Sequence, residues 1–477
     1  MKSLIVKQFV DEGLGNSSYL IASEETGIAA VIDPQRDIDK YVQTAGGLGL
    51  TLRYALDTHL HADFVSGAHE LAHHLHLEHD HNFQIGVSAA ADAPFEHMAL
   101  HEYDKLSLGN LSIGVISTPG HTPEHVSFGV FHEKNETPQV LFSGGSLIVG
   151  GTGRTDLLGH EHTIPLAHEL YNTIHKKLAL LPDDVKVYPT HGAGSFCNTS
   201  SNGARFTTIG EERENNPFLQ IADEEEFVQH ATTGLANYPT YYKHMRGLNQ
   251  KGARVLGSLG VPLLEPLSAE QVRQQVKAGA VVLDVRETHR FLDGHIENSY
   301  GIPLATPLIT WAGWVIPFGA PIVLVADTTA ERVEATRQLV RIGYDDLRGY
   351  LEGGVKSWQE AGHHLASTKR VTANQLEEWL SQKDAPSLLD VRFNKEWHQG
   401  HIAGARHVEA GALPEVAHSL LQHDQPLVVH CQRGNRSTVA ISILEQKGYK
   451  NLYALESGFS SWLQAGHAVS KNGAKHD

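Results

Sequence analysis

Cysteine is nearly absent from this sequence, since only Cys197 and Cys431 occur among 477 residues. A disulfide scaffold would need more, so we expect both thiols to be reduced and the chain to reside in the cytoplasm. The sequence also has no apolar run that approaches the about 20 consecutive residues needed to cross a membrane. Its first residues alternate like a strand and do not resemble a signal peptide.

Positive charge is scarce as well. Lysine and arginine number 38 against 55 aspartates and glutamates, which gives a formal net charge of -17. Nucleic acid and anionic membrane surfaces would be repelled by the average field of such a chain, so neither is expected as a partner. With 41% hydrophobic and 19% charged residues the composition is that of a globular protein. At about 150 residues per domain, the length predicts three domains.

Metal-ligating side chains are concentrated at residues 57–64, directly after a strand-like apolar run. His59, His61 and Asp63 form a His-x-His-x-Asp pattern there. Imidazole nitrogen together with carboxylate oxygen suits zinc or non-haem iron. A second group of histidines, in contrast, is predicted to be solvated: His73, His74, His76, His79 and His81.

Three later motifs also follow apolar, strand-like runs. They are Thr-Pro-Gly-His-Thr at 118–122, Phe-Ser-Gly-Gly at 142–145 and Tyr-Pro-Thr-His-Gly at 188–192. Strands alternate with helical stretches in this region, which predicts an α/β architecture with active loops at strand ends. In this order the motifs resemble the metallo-β-lactamase fold superfamily, and within it the persulfide dioxygenase and glyoxalase II branch.

That resemblance implies an αββα sandwich, which we expect to span residues 1–255. It also implies a metal site with His59 and His121 as ligands, one non-haem Fe²⁺ as the metal with zinc as the alternative, and self-association of the chain. His61 is a third candidate ligand, and Asp63 and His191 are further candidates.

The sequence departs from this family at two positions. The fourth family motif ends in a metal-ligating Asp where this chain has Gly145, and a second-site His is replaced by Phe64. A two-metal hydrolytic site would therefore lack two ligands. Three alternatives stay open for a single metal: a three-histidine set with His61, a triad completed by Asp63 or Asp156, or a metal-poor site.

Two more residues near these motifs are ambiguous. Arg154, in the segment Gly-Arg-Thr-Asp at 153–156, either binds the carboxylate of a substrate such as glutathione or pairs with Asp156 to fix the loop. Cys197 is either a ligand or redox thiol, or a small buried apolar residue.

The rest of the chain is an internal repeat. Val-Leu-Asp-Val-Arg at 282–286 matches Leu-Leu-Asp-Val-Arg at 388–392, and Leu-Glu-Gly-Gly at 351–354 matches Leu-Glu-Ser-Gly at 455–458. The repeat predicts two copies of one α/β domain, at 262–366 and 370–470.

The second copy carries a reactive cysteine motif. An apolar strand at 427–430 leads into Cys431, and the loop that follows contains Arg433, Gly434 and Arg436. Backbone N–H groups of such a loop, a helix N-terminus and two arginines all favour a thiolate, so Cys431 is predicted to be a nucleophile. The motif order resembles that of rhodanese domains, which implies that Cys431 carries a persulfide. In the first copy Asp327 replaces the cysteine, so this copy is predicted to be inactive.

As a whole, the chain resembles fused persulfide dioxygenase and sulfurtransferase proteins. The resemblance implies oxidation of a thiol persulfide by O₂ to sulfite, coupled to sulfur transfer through Cys431, with a thiol persulfide, thiosulfate or sulfite as partners. One alternative is a sulfurtransferase whose metal-poor first domain binds thiols. A second alternative is a thioester hydrolase of the glyoxalase II type.

Overall fold

The computed structural model describes residues 4–78, 82–132, 135–199, 203–420 and 424–471. His79 and His81 of the predicted solvated cluster lie outside these ranges, whereas His73 and His76 are exposed. The chain divides into two units, Met1–Pro262 with Val340–Gly343, and Leu263–Leu339 with Tyr344–Asp477. The domain boundaries expected from the sequence stay predictions.

Six strands in sequential order form the first sheet of the first unit. They are β1 (Leu4–Asp11), β2 (Asn16–Ser23), β3 (Ile28–Ile32), β4 (Thr51–Leu56), β5 (Gln84–Ser88) and β6 (Met98–Leu100). The first three pair antiparallel and the last four pair parallel.

A second six-stranded sheet and a short hairpin complete the strands of this unit. The strands are β7 (Lys105–Leu108), β8 (Leu111–Ser117), β9 (Val126–His132), β10 (Val140–Gly144), β11 (Leu147–Ile148), β12 (Gly151–Thr152), β13 (Lys186–Pro189) and β14 (Thr207–Thr208). The sheet order is β14-β13-β10-β9-β8-β7, and β11 pairs with β12.

Helices cover the outer faces of both sheets. They are α1 (Asp39–Leu48), α2 (Ala68–Leu77), α3 (His160–Lys176), α4 (Ile209–Asn215), α5 (Pro217–Gln220), α6 (Glu224–Thr232) and α7 (Tyr242–Lys251). Ile21 and Leu56 of the first sheet share one buried core with Phe128 and Phe142 of the second. The layers are therefore those of the predicted αββα sandwich, with the motif loops at strand ends.

The start of α2 differs from the sequence-based expectation. The apolar pattern favours a helix from Phe64, but α2 begins at Ala68. The buried Asn249 side chain accepts a hydrogen bond from the N–H of Ser66 and donates to the carbonyl oxygens of His61 and Phe64. These bonds replace helical ones and keep residues 61–66 as a loop.

The second unit contains two five-stranded sheets with the same topology, which confirms the duplication. The first copy contains β15 (Pro266–Leu267), α8 (Ala269–Lys277), β16 (Val281–Asp284), α9 (Thr288–Asp293), β17 (Tyr300–Gly301), α10 (Leu308–Val315), β18 (Ile322–Val325), α11 (Thr329–Arg341), β19 (Leu347–Leu351) and α12 (Gly354–Glu360). Its strand order is β15-β19-β18-β16-β17, and every neighbouring pair is parallel.

The second copy repeats this arrangement as β20-β24-β23-β21-β22. Its elements are β20 (Lys369–Val371), α13 (Ala373–Leu380), β21 (Ser387–Asp390), α14 (Asn394–Gln399), β22 (Arg406–His407), α15 (Leu413–Val416), β23 (Leu427–His430), α16 (Asn435–Gln446), β24 (Leu452–Leu455) and α17 (Gly458–Gln464). None of the helices in the described ranges combines the length and the apolar character needed to span a bilayer.

Candidate functional sites

Three strand-end loops of the first unit bring buried histidines together. His59 follows β4, His121 follows β8 and His191 follows β13, and each side chain is at most 1% exposed. One ring nitrogen from each of the three lies within 4.8 Å of the other two. The Nε2 atoms of His59 and His191 are 3.3 Å apart.

Hydrogen bonds to Nδ1 determine which nitrogen of His121 and His191 is protonated. The Nδ1–H of His121 donates to the carbonyl oxygen of Arg154 at 2.7 Å. Nδ1 of His191 lies 3.1 Å from the amide oxygen of Asn16 and 3.3 Å from a carboxylate oxygen of Asp63. Both neighbours of His191 can only accept, so its proton is on Nδ1. In both rings Nε2 therefore keeps its lone pair.

The same reasoning holds for His59, through Thr58. The hydroxyl of Thr58 donates its one proton to the carboxylate of Asp33, at 2.9 Å. It must therefore accept from the Nδ1–H of His59, which lies 2.9 Å away. The Nε2 of His59 is then unprotonated as well.

Three Nε2 lone pairs thus face one another in a buried space. The Nε2 of His121 has no hydrogen-bond partner among the described residues. Burial, helped by neighbouring histidines, lowers the pKa of His121 to about 3 and holds the pKa of His59 well below its ordinary value. Neutral imidazoles with bare nitrogens directed at one another form a donor set that fits a transition-metal ion.

The space that the family carboxylate would need is occupied by His121. A Cβ atom built on Gly145 would lie 2.3 Å from Cδ2 of His121, and one built on Gly153 would lie 2.7 Å from its Nδ1. The imidazole therefore lies between two glycine backbones. No side chain fits at position 145 unless the ring moves.

The other two predicted ligands of the first motif lie close by but have different partners. Nε2 of His61 is 3.1 Å from the carboxylate of Asp33, and the ring stacks on Phe64. Asp63 accepts a hydrogen bond from the amide of Asn16 at 2.7 Å. His61 and Asp63 belong to a second group of possible ligands that also includes His191, so their roles stay predictions.

In the second unit Cys431 lies between β23 and α16. The residue is 1% exposed, and the backbone N–H of Gly434 donates to its Sγ at 3.1 Å. The hydroxyl oxygen of Ser437 is 3.8 Å from the sulfur. The sequence pattern predicts a helix from Thr438, but α16 begins three residues earlier, at Asn435, so its N-terminal end faces the sulfur. An N–H group and a helix N-terminus both stabilise a thiolate.

The neighbouring helix α17 holds the backbone of this loop in place. The N–H groups of Phe459 and Ser460 donate to the carbonyl oxygens of Cys431 and Gln432, at 2.7 and 3.0 Å. These bonds fix the backbone of residues 431 and 432, and the N–H of Gly434, two residues further on, is directed at Sγ. The approach requires glycine, because a Cβ on Gly458 would lie 2.3 Å from the carbonyl oxygen of Cys431.

The two predicted arginines differ in their surroundings. Arg436 forms a bidentate ion pair with Glu396, at 2.5 and 2.8 Å, and its guanidinium lies over the ring of Phe393. Burial would lower the pKa of Arg436, but its bond to Glu396 and the nearby Cys431 raise it. Arg433 is exposed and lines a cavity of about 280 Å³ beside the loop.

Comparison with known proteins matches both regions. A rhodanese-like domain model matches residues 268–361 and 372–465. The chain is 30% identical over 227 residues to the mitochondrial persulfide dioxygenase ETHE1 of Bos taurus, which is 46% of this chain and 78% of that protein. It is 30% identical over 206 residues to the hydroxyacylglutathione hydrolase GloC of Haemophilus influenzae, 40% of this chain and 87% of that protein.

Among solved structures, a metallo-beta-lactamase from Staphylococcus aureus is 30% identical, with a TM-score of 0.64. The alignment covers 73% of this chain and 98% of that chain. The chain belongs to the metallo-β-lactamase-fold family. Two rhodanese-like domains follow its metallo-β-lactamase-like part, as the sequence motifs predict.

The first rhodanese-like copy has no sulfur at the position of Cys431. Its Asp327 instead forms an ion pair with Arg290, at 2.8 Å. The loop N–H groups of Asp327 and Thr328 both donate to the carboxylate of Glu331. The free N–H groups at the N-terminal end of α11 are therefore bonded to a carboxylate of the same chain, that of Glu331.

In the metallo-β-lactamase-like part, Arg154 lies in the loop beside His121. Its guanidinium donates to both carboxylate oxygens of Asp156, at 2.6 and 2.7 Å, and to the carbonyl oxygens of Phe196 and Ala236. These bonds fix the loop whose carbonyl orients His121. The geometry favours this role, and substrate binding by Arg154 stays a prediction.

Cys197, in contrast, is fully buried, and burial raises the pKa of its thiol well above the ordinary value. A thiol that stays protonated is a poor nucleophile. The structure thus favours the small apolar residue over the redox thiol.

Several residues that orient these sites carry no signal in the sequence alone. Asn16, Thr58 and His125 belong to no ligand pattern, yet Nε2 of His125 accepts from the N–H of Gly145 at 2.9 Å. Polar residues at strand ends were the one available indication, and such residues are common in loops.

Proposed function

We propose that this chain oxidises a small-thiol persulfide at its histidine site and transfers sulfane sulfur through Cys431, in the cytoplasm. The observation that carries the transferase half is the N–H of Gly434, 3.1 Å from Sγ at the start of α16. The oxidative half is supported by the three bare Nε2 atoms and by the similarity to persulfide dioxygenases.

Sulfur transfer would begin with the Cys431 thiolate. Sγ attacks the terminal sulfur of thiosulfate or of a thiol persulfide, a new S–S bond forms, and the old S–S bond breaks with its electron pair leaving on sulfite or on the thiolate. The N–H of Gly434 stabilises negative charge on Sγ before the attack, and again when the outer sulfur of the Cys431 persulfide is transferred and Sγ becomes a thiolate. Sulfite or a thiol then takes the outer sulfur and restores the thiolate.

In the oxidative half, a persulfide, O₂ and water give a thiol, sulfite and two protons. His59 and His121 would hold the metal, for which we propose iron, with zinc as the alternative. Bound iron would supply the redox chemistry that lets O₂ react with the persulfide. The chain's own contribution is to keep these imidazoles neutral, because burial lowers the pKa of both His59 and His121.

The two alternatives make different predictions. A transferase with a metal-poor first domain would bind no iron and consume no O₂. A thioester hydrolase would need the two-metal site, and Gly145 and Phe64 stand where two of its ligands would be. A two-metal site in this chain would therefore lack two of its ligands.

The test is to measure metal content, O₂ uptake on glutathione persulfide, and thiocyanate formation from thiosulfate and cyanide. We expect iron-dependent O₂ uptake and sulfur transfer in the native chain. Iron-free protein without O₂ uptake would leave the transferase alone, and cleavage of an acyl-glutathione with bound zinc would favour the hydrolase.

A further inference from the structure

We infer that His191 completes a three-histidine metal site with His59 and His121, in place of the carboxylate that position 145 lacks. The inference rests on the proposed binding of a metal in this pocket. It does not depend on what reaction the metal supports.

The first step is the exclusion of a carboxylate at position 145. Gly145 is in contact with the ring of His121, and its N–H is donated to His125 at 2.9 Å. A side chain at position 145 would meet the imidazole of His121, since its Cβ would lie 2.3 Å from Cδ2 of the ring. The site must therefore take its third ligand from another loop.

The second step is the choice between His191 and His61. Nε2 of His191 is bare and lies 3.3 Å from the bare Nε2 of His59. Two lone pairs at that distance repel each other, and a cation between them removes the repulsion. Nε2 of His61 lies instead beside the Asp33 carboxylate at 3.1 Å. Its Nδ1 has no hydrogen-bond partner among the described residues, but the ring nitrogens of His61 group with Asp63 and His191 or with Asp33 and Asp57, and not with His59 and His121.

The third step is the orientation of His191 by its outer partners. The amide of Asn16 accepts from His191 and donates to Asp63, at 3.1 and 2.7 Å. Asp63 itself lies 3.3 Å from Nδ1 of His191. Metal-bound histidines commonly donate their second N–H to a carboxylate or carbonyl oxygen in this way. Asp63 thus acts as a positioning residue for His191.

A site of three neutral imidazoles has a consequence for its ligands. No carboxylate among the three ligands reduces the charge of a divalent ion, so the ion keeps its full charge of about +2 toward the open positions. Such a site favours an anionic ligand, and a deprotonated persulfide is one.

The test is anaerobic loading of the full chain with Fe²⁺, and separately with Zn²⁺, followed by measurement of bound metal and of affinity by chelator competition. His191→Gln, which keeps a polar side chain of similar length, is compared with His61→Gln. We expect about one metal per native chain, a loss of at least about 100-fold in affinity for His191→Gln, and a much smaller loss for His61→Gln. Circular dichroism and thermal unfolding report whether each variant is folded.

A Gly145→Asp variant gives an independent readout. Because the new side chain displaces His121, we expect restoring the family carboxylate to weaken metal binding. Affinity that is unchanged in His191→Gln but lost in His61→Gln would overturn the inference, as would a native chain that binds neither metal. A chain that binds metal through His191 but consumes no O₂ would refute the oxidative function and leave the inference intact.

Discussion

Single glycines decide how closely the chemical groups of this molecule approach one another. Gly145 leaves room for the ring of His121, and Gly458 lets α17 bond the backbone of the Cys431 loop. Neither role depends on a functional group, since each depends on the absence of a Cβ atom. Both can be tested by adding one methyl group.

The repeat supplies a matched pair for Gly458. Gly458 and Gly354 both begin a helix at the same place in the two copies, with φ of 59° and 61°. Ala at either position carries the same backbone strain of about 1 kcal/mol. Only at 458 does the added Cβ meet the Cys431 loop, whereas nothing lies within 4 Å of it at 354.

We therefore expect Gly458→Ala to lower kcat/KM for thiosulfate by about 100-fold, because the loop must shift by a large fraction of an ångström. Gly354→Ala should keep near-native transfer with a similar drop in thermal stability. Equal losses of activity in the two variants would show that the close approach to the loop has no special role.

A second prediction at this scale concerns the charge beside the cavity. Arg433 is exposed and lines it, while Arg436 is already paired with Glu396. Arg433→Gln should raise KM for the dianion thiosulfate by about 10-fold with little change in kcat, since one charge-assisted contact is lost. Steady-state kinetics at two ionic strengths measure this change in KM. A fall in kcat alone would contradict the assignment of Arg433 to substrate binding.

The sequence indicates the residues of the two candidate sites to different degrees. Cys431 and its loop could be predicted because strand, cysteine and glycine lie within a few positions. The convergence of His191 with His59 could not, because the two residues are 132 positions apart in the sequence and because Asn16, which orients His191, matches no motif. The close approach of the His121 ring to Gly145 likewise could not be predicted from the sequence.

At the scale of elements, the first copy contributes directly to the active loop of the second. Thr288, at the start of α9, donates to the amide oxygen of Asn435 at 3.1 Å and lies 3.2 Å from the hydroxyl of Thr438. Both partners belong to the first turn of α16. His289 and Leu292 of α9 also line the cavity beside Gly434. The first copy thus contributes residues to the proposed transferase site.

Thr288→Val tests this contact, because it keeps the shape of the side chain and removes the hydroxyl. We expect the free energy of unfolding to fall by about 1 kcal/mol for each lost bond, and kcat/KM for thiosulfate to fall several-fold. Asn394→Ala is the control, since Asn394 is the exposed residue that begins α14 at the matching place. Unchanged kinetics in Thr288→Val would mean that α9 is only a neighbour.

Sequence patterns found the elements well and their ends less well. The duplication could be predicted from repeated motifs, and the family resemblance implied the sandwich. The starts of α2 and α16 could not, because Asn249 removes residues 61–66 from the first helix and the cysteine loop itself begins the second. Such ends depend on side chains distant in sequence.

At the scale of the whole molecule, the two proposed sites share one chain but no residues. The histidine site lies within Met1–Pro262, and Cys431 lies in the unit that contains Tyr344–Asp477. Covalent linkage raises the effective concentration of one activity's product near the other. In the proposed function, sulfite from the first site would accept sulfur from the Cys431 persulfide at the second.

Separate sites predict separable losses. His121→Gln should abolish O₂ uptake and leave transfer from thiosulfate to cyanide near native, while Cys431→Ser should do the reverse. With glutathione persulfide as the only substrate, the native chain should release thiosulfate, and each single variant should not. Parallel loss of both activities in either variant would point to unfolding or to a shared site.

The most direct measurement is the intact mass of the chain after incubation with thiosulfate. The account predicts the addition of one sulfur atom in the native protein and in Cys197→Ser, and none in Cys431→Ser, because Cys431 alone has an N–H donor and a helix N-terminus at its sulfur. A sulfur adduct that persists in Cys431→Ser, or its absence from the native chain, would contradict the account.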